Sequence, residues 1–276
     1  MQRKYGFGMM MLEIVMIILA LAVLLPVALV VMNSVKSTSE VSKSLLSLPK
    51  ELHWDNFTTA MQRMNFWNAM KNSLIVTACS VTGVVLFSSM AAYQITRKQC
   101  LLSKVIYYGV LVSIAIPFQA IMVPLVIVAK TLHLVDSIWG LILIYWGLLL
   151  PMSMFLYQGF IKNVPRELEE AALIDGCSPF RAFFSVVLPI LKPITVTIVI
   201  LNCLSVFNDF TLPLILLVSK ANRTIPLSVS VFFDTYANQW NYIMSSLTLV
   251  ILPVLVAFLF LQKQIMKGMI DGALKG

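Results

Sequence analysis

Charge is what this sequence has least of. Only 12% of its 276 residues are Asp, Glu, Lys or Arg, about half the share of a soluble domain. With a mean hydropathy of +0.91, that excludes an ordinary water-soluble enzyme. Histidine stops at two isolated residues, His53 and His133, too few for an imidazole metal centre. Cysteine stops at four: Cys79, Cys100, Cys177 and Cys203. No two have metal-pair spacing, and three lie in or beside apolar segments, so they read as small apolar residues. No GxxxxGK[ST] phosphate loop is present, which removes that route to binding ATP. No Ser/His/Asp or Cys/His set can be assembled. Within the apolar runs the ionisable residues are Glu13 and Asp209. A proton-coupled carrier needs a relay of such groups, so the energy for any transport enters from outside the membrane domain.

What is present is apolar sequence in long runs. Residues 9–32 follow a short basic start, MQRKYGFG. Ala20-Leu21-Ala22 resembles a cleavage site, but the apolar run continues to Met32. At about 1.5 Å per residue it crosses a hydrocarbon core of about 30 Å, so it reads as a retained helix and not a removed signal. Further runs at 72–95, 105–129, 137–158, 191–218 and 243–262 predict an all-α polytopic membrane protein of six helices, with both termini on one side and a single transmembrane domain over 1–276. Prolines at 26, 117, 124, 151, 193, 213 and 253 are expected as kinks in or beside these spans. Residues 33–71 mix Lys and Glu with Trp54, Phe57, Phe66 and Trp67, the composition of an amphipathic interfacial segment.

The net charge of +8 sets topology and meets anionic lipid headgroups; no nucleic acid is implied. With both termini inside, the inner connections carry twelve Lys and Arg and the outer ones eight. The connection at 96–104, with Arg97, Lys98 and Lys104 and no acid, is the cleanest signal for a cytoplasmic side.

The longest polar interruption in the C-terminal two thirds is 163–189, NVPRELEEAALIDGCSPFRAFFSVVLP. It predicts two short helices. Pro165 suits a first helical position, and Glu167, Glu169 and Glu170 occupy the opening turns. Gly176 is available for a left-handed stop. Ser178-Pro179 supplies a cap and a first-turn proline for the second helix. Phe180, Phe183, Phe184 and Val187 then share a face, and an aromatic face outside the membrane calls for cover by another protein.

Asn208 and Asp209 are candidates for a substrate path. Counted from residue 191, Asp209 lies about 27 Å along a helix, near its outer end. The alternative is a helix-end residue bonded to a neighbour. Trp139, Tyr145 and Trp146 could stack on sugar rings, or serve as core and interfacial belt.

The run Glu170-Ala171-Ala172, three residues, Gly176, nine residues, Val186, one residue, Leu188-Pro189 resembles the EAA signature of bacterial ABC importer permeases, with Val186 where Ile is usual. Phe207-Asn208-Asp209-Phe210 with Pro213-Leu214 is similar to the WNDFxxPL segment of carbohydrate importer permeases, with Phe207 in place of Trp. Thr224-Ile225-Pro226-Leu227, Asn72-Ser73-Leu74, Ala91-Ala92-Tyr93 and the ending Gly272-Ala273-Leu274-Lys275-Gly276 fit the same group. The resemblance covers nearly the whole chain and points to the shorter, six-helix subunit of the maltose-type inner-membrane permease family. The resemblance implies a cytoplasmic coupling loop at 163–189 docking on an ABC ATPase dimer that binds the ATP, with Glu170, Ala171, Ala172, Gly176, Leu188 and Pro189 as its coupling residues. It also implies a second permease subunit, an extracytoplasmic solute-binding protein and inward transport of a sugar or oligosaccharide by alternating access, with a tail that reaches the ATPase. A permease for another solute, a secondary transporter, and a membrane subunit without a path are the alternatives.

Overall fold

The structure, a computed structural model, describes residues 7–98, 100–234 and 239–273. Arg3, Lys4, Leu274, Lys275 and Gly276, used above for topology and for the tail, lie outside the described residues. Regular structure among the described residues is helical: α1 Phe7–Ser34, α2 Thr38–Lys43, α3 Asp55–Arg63, α4 Phe66–Arg97, α5 Leu101–Ile114, α6 Phe118–Thr131, α7 Ile138–Ile161, α8 Glu167–Ile174, α9 Pro179–Ala182, α10 Leu188–Ile190, α11 Lys192–Asn208, α12 Thr211–Leu216, α13 Ile225–Ser228, α14 Val231–Asp234 and α15 Trp240–Ala273. Four are long and apolar enough to cross a membrane, and two bent pairs raise the number to six if each pair is one span. The chain divides into two compact units, residues up to Trp67 with Ser228–Leu255, and Asn68–Leu227 with the residues from Val256 on.

In the first unit, α1 presents apolar side chains all round, from Met11 to Val23 and Leu25, and all three are exposed. A helix without a polar face belongs in an apolar solvent. Its C-terminal carbonyls are met by polar side chains. Asn33 Nδ2 donates to Leu29 O (2.7 Å), and Asn56 Nδ2 donates to the carbonyls of Ser34 and Lys36 (2.9 Å each). Lys36 is fully buried, its Nζ donating to Asn33 Oδ1 (2.9 Å) and Ser44 O (3.2 Å). Asn241, in the first turn of α15, donates to Asn56 Oδ1 (2.9 Å) and accepts from Thr38 Oγ1 (2.8 Å), while Ser245 Oγ reaches Ser34 O (2.8 Å). A capping box of Ser37 and Glu40 starts α2. Backbone N–H groups of Ser37 and Lys50 hold the Glu40 carboxyl below its usual range. The stretch expected to lie as one amphipathic surface segment is thus pinned by buried Asn56, Ala60, Met64 and Phe66, with Trp54 and Trp67 left exposed.

In the second unit, α7 runs through two apolar clusters. Leu141, Ile142 and Tyr145 pack with Val76, Val206, Leu212 and Leu216. Further along, Met154, Tyr157 and Ile161 pack with Ala92, Phe183, Val187 and Leu191. Two polar ties cross from α7 to α11: Asn202 Nδ2 to Ser153 Oγ (3.0 Å) and Tyr157 OH to Thr195 Oγ1 (2.9 Å). Gly83 lets the Trp146 ring lie where a Cβ would be, within 2.2 Å. Trp146 Nε1 donates to Cys79 O (3.2 Å).

Two expected spans are broken. The run 105–129 is α5 and α6, meeting at 109°. Pro117 has no N–H and disfavours helical backbone at Ile116, so α5 ends and Pro117 caps α6. The run 191–218 stops at Asn208, because Asp209 is extended (ψ 127°) and opens α12. At its other end α11 meets the preceding helical stretch at 78°. Between α6 and α7, Asp136 adopts φ +55°. Its Oδ1 accepts from the backbone N–H of Val218 (3.0 Å) and Ser219 (2.9 Å) and from Ser219 Oγ (3.0 Å). Burial pushes this carboxyl up, but the bonds from Ser219, Asn222 and Val218 outweigh it and hold the group below its usual value.

Candidate coupling site

The polar interruption folds as a helix, a tight turn and a second helical stretch. Glu167, Glu169 and Glu170 occupy the first turn of α8, where the helix end favours negative charge. Pro165, expected at the first helical position, lies one residue before the cap residue Arg166, whose carbonyl accepts the N–H groups of Glu169 (2.9 Å) and Glu170 (3.0 Å). The helix stops in a Schellman arrangement: Cys177 N–H reaches Ala172 O (3.0 Å) and Gly176 N–H reaches Leu173 O (3.1 Å). Gly176 has φ +85°, the left-handed conformation that costs glycine least. Ser178 Oγ then accepts from Arg181 N–H (3.3 Å), with Pro179 at the start of α9. The chain continues through one π-helical turn, Phe183–Val187, into α10.

The loop is fixed to the membrane helices through one carboxylate. Glu169 and Arg97, the last residue of α4, form an ion pair with side-chain exposures of 9% and 13%. Arg97 Nε donates to Glu169 Oε1 (2.9 Å), and its Nη2 donates to the same oxygen and to Val164 O (2.9 Å). Tyr93 OH, one turn back on α4, donates to Glu169 Oε2 (2.9 Å). Both carboxylate oxygens are therefore satisfied, and α8 is held against the end of α4. Tyr93 also packs on Phe183, ring centroids 5.0 Å apart.

This divides the predicted aromatic face. Phe183 and Val187 are buried in the chain's own core, Phe184 is half-buried, and Phe180 is 64% exposed. The extra residue in the π turn breaks the regular spacing on which a single face depends. What remains outside is Glu170, Ala171, Leu173, Ile174 (86% exposed) and Phe180, with Gly176 and Pro189, while Ala172 is buried and Leu188 half-buried. The exposed surface of the loop thus sets a carboxylate beside bulky apolar side chains.

At the far end of α11, Asp209 is held by its own chain. Tyr145 OH donates to Oδ2 (2.9 Å), and Oδ1 accepts from the N–H of Thr211 (2.8 Å) and Leu212 (3.4 Å). Asn208 is exposed and donates to Leu204 O (2.9 Å). Tyr145 is buried and Trp139 exposed.

Residues 83–271 match the binding-protein-dependent transport system inner membrane component. The chain belongs to this family. Among its relatives, the probable starch degradation products transport system permease protein AmyC of Thermoanaerobacterium thermosulfurigenes is 38% identical over 99% of both chains. The melibiose/raffinose/stachyose import permease protein MelC of Bacillus subtilis is 32% identical over 94% of both. The arabinooligosaccharides transport system permease protein AraQ of the same organism is 32% identical over 94% of this chain and 92% of that one. The fold is that of a solved bacterial ABC transporter involved in the import of alginate, an acidic polysaccharide, with a TM-score of 0.79 over 95% of this chain and 99% of that one at 20% identity.

As an inner membrane component, the chain places its predicted residues in two groups, one on α8–α10 and one at the C-terminal end of α11. Sequence reasoning missed the ion pair that separates the neighbouring acids Glu169 and Glu170 into a buried and an exposed role. The available signal was the register of Glu169 with Ala172, three residues on and also buried. In the sequence Arg97 reads only as a topology charge.

Proposed function

We propose that this chain is a permease subunit of an ATP-driven, binding-protein-dependent importer that carries a sugar or oligosaccharide into the cytoplasm. The observation that carries the reading is the coupling loop. One acid, Glu169, is used to fix α8 to α4, and the next, Glu170, stands exposed beside Ile174 and Phe180. A partner that pushes on that surface moves α4 through the Arg97 pair. The partner is an ABC ATPase dimer that binds the ATP, and Glu170 meets a basic group on it. Both termini and the 163–189 loop are cytoplasmic, in a bacterial inner membrane. A second permease completes the pathway, and an extracytoplasmic binding protein delivers the solute to the opposite side. Asn208 and Asp209 stand at that outer end, with Asp209 shaping the start of α12. The names of AmyC, MelC and AraQ, which concern starch degradation products, melibiose/raffinose/stachyose and arabinooligosaccharides, support the sugar class.

The test is ATP hydrolysis by reconstituted complexes with and without the binding protein and a panel of sugars. One sugar class stimulates the wild type, and Glu170→Ala cuts the stimulation about tenfold or more, the scale of an interface hot spot. Unchanged stimulation in that variant removes the coupling assignment. Coupling without a response to any sugar keeps the importer and reopens the solute.

A further inference from the structure

Where α4 ends, α5 begins and α7 ends, two grooves of about 280 and 290 Å³ adjoin, sharing Tyr107, Gln158 and Lys162. Each has room for about nine waters' share of liquid volume, enough for a small charged headgroup. Lys104 and Lys162 stand on the walls; both are exposed and neither has an ion-pair partner among the described residues. Ser103 and Tyr107 add hydroxyls. Gln158 is only 7% exposed, lines both grooves, and its side-chain amide has no hydrogen-bond partner among the described residues. Its amide atoms are not sealed off by the protein, so they are open to a group that enters the grooves. The start of α5 beside the groove has no side-chain cap, so its N–H groups also favour an anion. The second groove continues along α7 past Leu156 to Phe155, about 10 Å from Lys162 toward the middle of the span. It thus runs from two cations and an unbonded amide at a helix end into an apolar wall.

We propose that these grooves form one site for the phosphodiester headgroup of an anionic phospholipid. Lys104 and Lys162 take the charge, Gln158 and Tyr107 bond the phosphate and glycerol oxygens, and the wall at Leu156 and Phe155 receives the start of an acyl chain. Basic pockets between membrane helices near the headgroup level are suited to such lipids. The site rests on α4, α5 and α7 being membrane spans and on nothing about the solute carried. It adjoins the coupling loop, since Lys162 and Asn163 lead directly to Val164, which Arg97 grips.

The experiment is a lipid titration of the full transporter complex, purified in neutral detergent and stripped of lipid, read by native mass spectrometry and thermal unfolding. Dioleoyl-phosphatidylglycerol is expected to bind saturably and raise the unfolding temperature; dioleoyl-phosphatidylcholine is not. Replacing both Lys104 and Lys162 by Gln weakens the first lipid about thirtyfold, from roughly one headgroup attraction per lysine. Lys98→Gln, an exposed cation on the same connection that does not line the grooves, leaves it unchanged. Equal weakening by Lys98→Gln would mean diffuse surface charge and overturn the site. Equal protection by inorganic phosphate alone, or equal retention of both lipids, overturns the lipid assignment. None of these readouts requires transport, so they stand whether or not sugars stimulate hydrolysis.

Discussion

At the residue scale, two adjacent glutamates do opposite work, and their substitution should show it. Arg97→Met leaves Glu169 buried without its cation and should cost the complex about 3 kcal/mol or more. Adding Glu169→Gln removes the charge, keeps an acceptor for Tyr93, and should restore more than half of that loss. Thermal unfolding of the purified complex checks both. Restored stability without restored transport would assign the pair to transmission as well as to folding. Asp136 gives a pH prediction. Its folded pKa lies below the usual 3.8, so the stability it adds is present in full above that value and is lost as pH falls through the folded pKa. Asn tolerates φ +55°, which makes Asp136→Asn a clean comparison. The gap in unfolding midpoint between the two proteins should hold from neutral pH to about 5 and close in stronger acid.

At the scale of elements, glycines mark the places where one segment constrains the next. A Cβ at Gly176 would meet nothing within 4 Å, so only its positive φ matters. Gly176→Asn should be nearly silent, and Gly176→Ala should cost about 1 kcal/mol, read as a lower yield of assembled complex. At Gly140 the conflict is with backbone, since a Cβ would lie 2.1 Å from Leu134 O. Gly140→Ala should therefore shift the α6–α7 turn and reduce assembly more than Gly176→Ala, by about 1–3 kcal/mol. The helix, turn and cap of the coupling loop were legible in the sequence, because Ser178-Pro179 and Gly176 act through local backbone geometry. The breaks at Pro117 and Asp209 were not. Hydropathy is blind to direction, and a membrane proline is compatible with a mild kink as well as with a 109° turn. The burial of Phe183 and Glu169 was also hidden, because it depends on Tyr93 and Arg97, far away in sequence.

At the scale of the whole molecule, family membership and the helical fold agree with what composition demanded. The length of the apolar runs sets how many times such a chain can cross, and the polar remainder is small enough to be spent on a few ties. One of those ties has a consequence for how the protein is made. The carbonyl of Ser34 and the side chains of Thr38 and Asn56 find their partners in Asn241 and Ser245. Those partners leave the ribosome some two hundred residues later. During synthesis the stretch around Lys36 therefore emerges long before the groups that complete its hydrogen bonding. A nascent chain arrested before Trp240 should expose 33–60 to protease, and release of α15 should protect it. In this sense α15 is the lock on the stretch around Lys36.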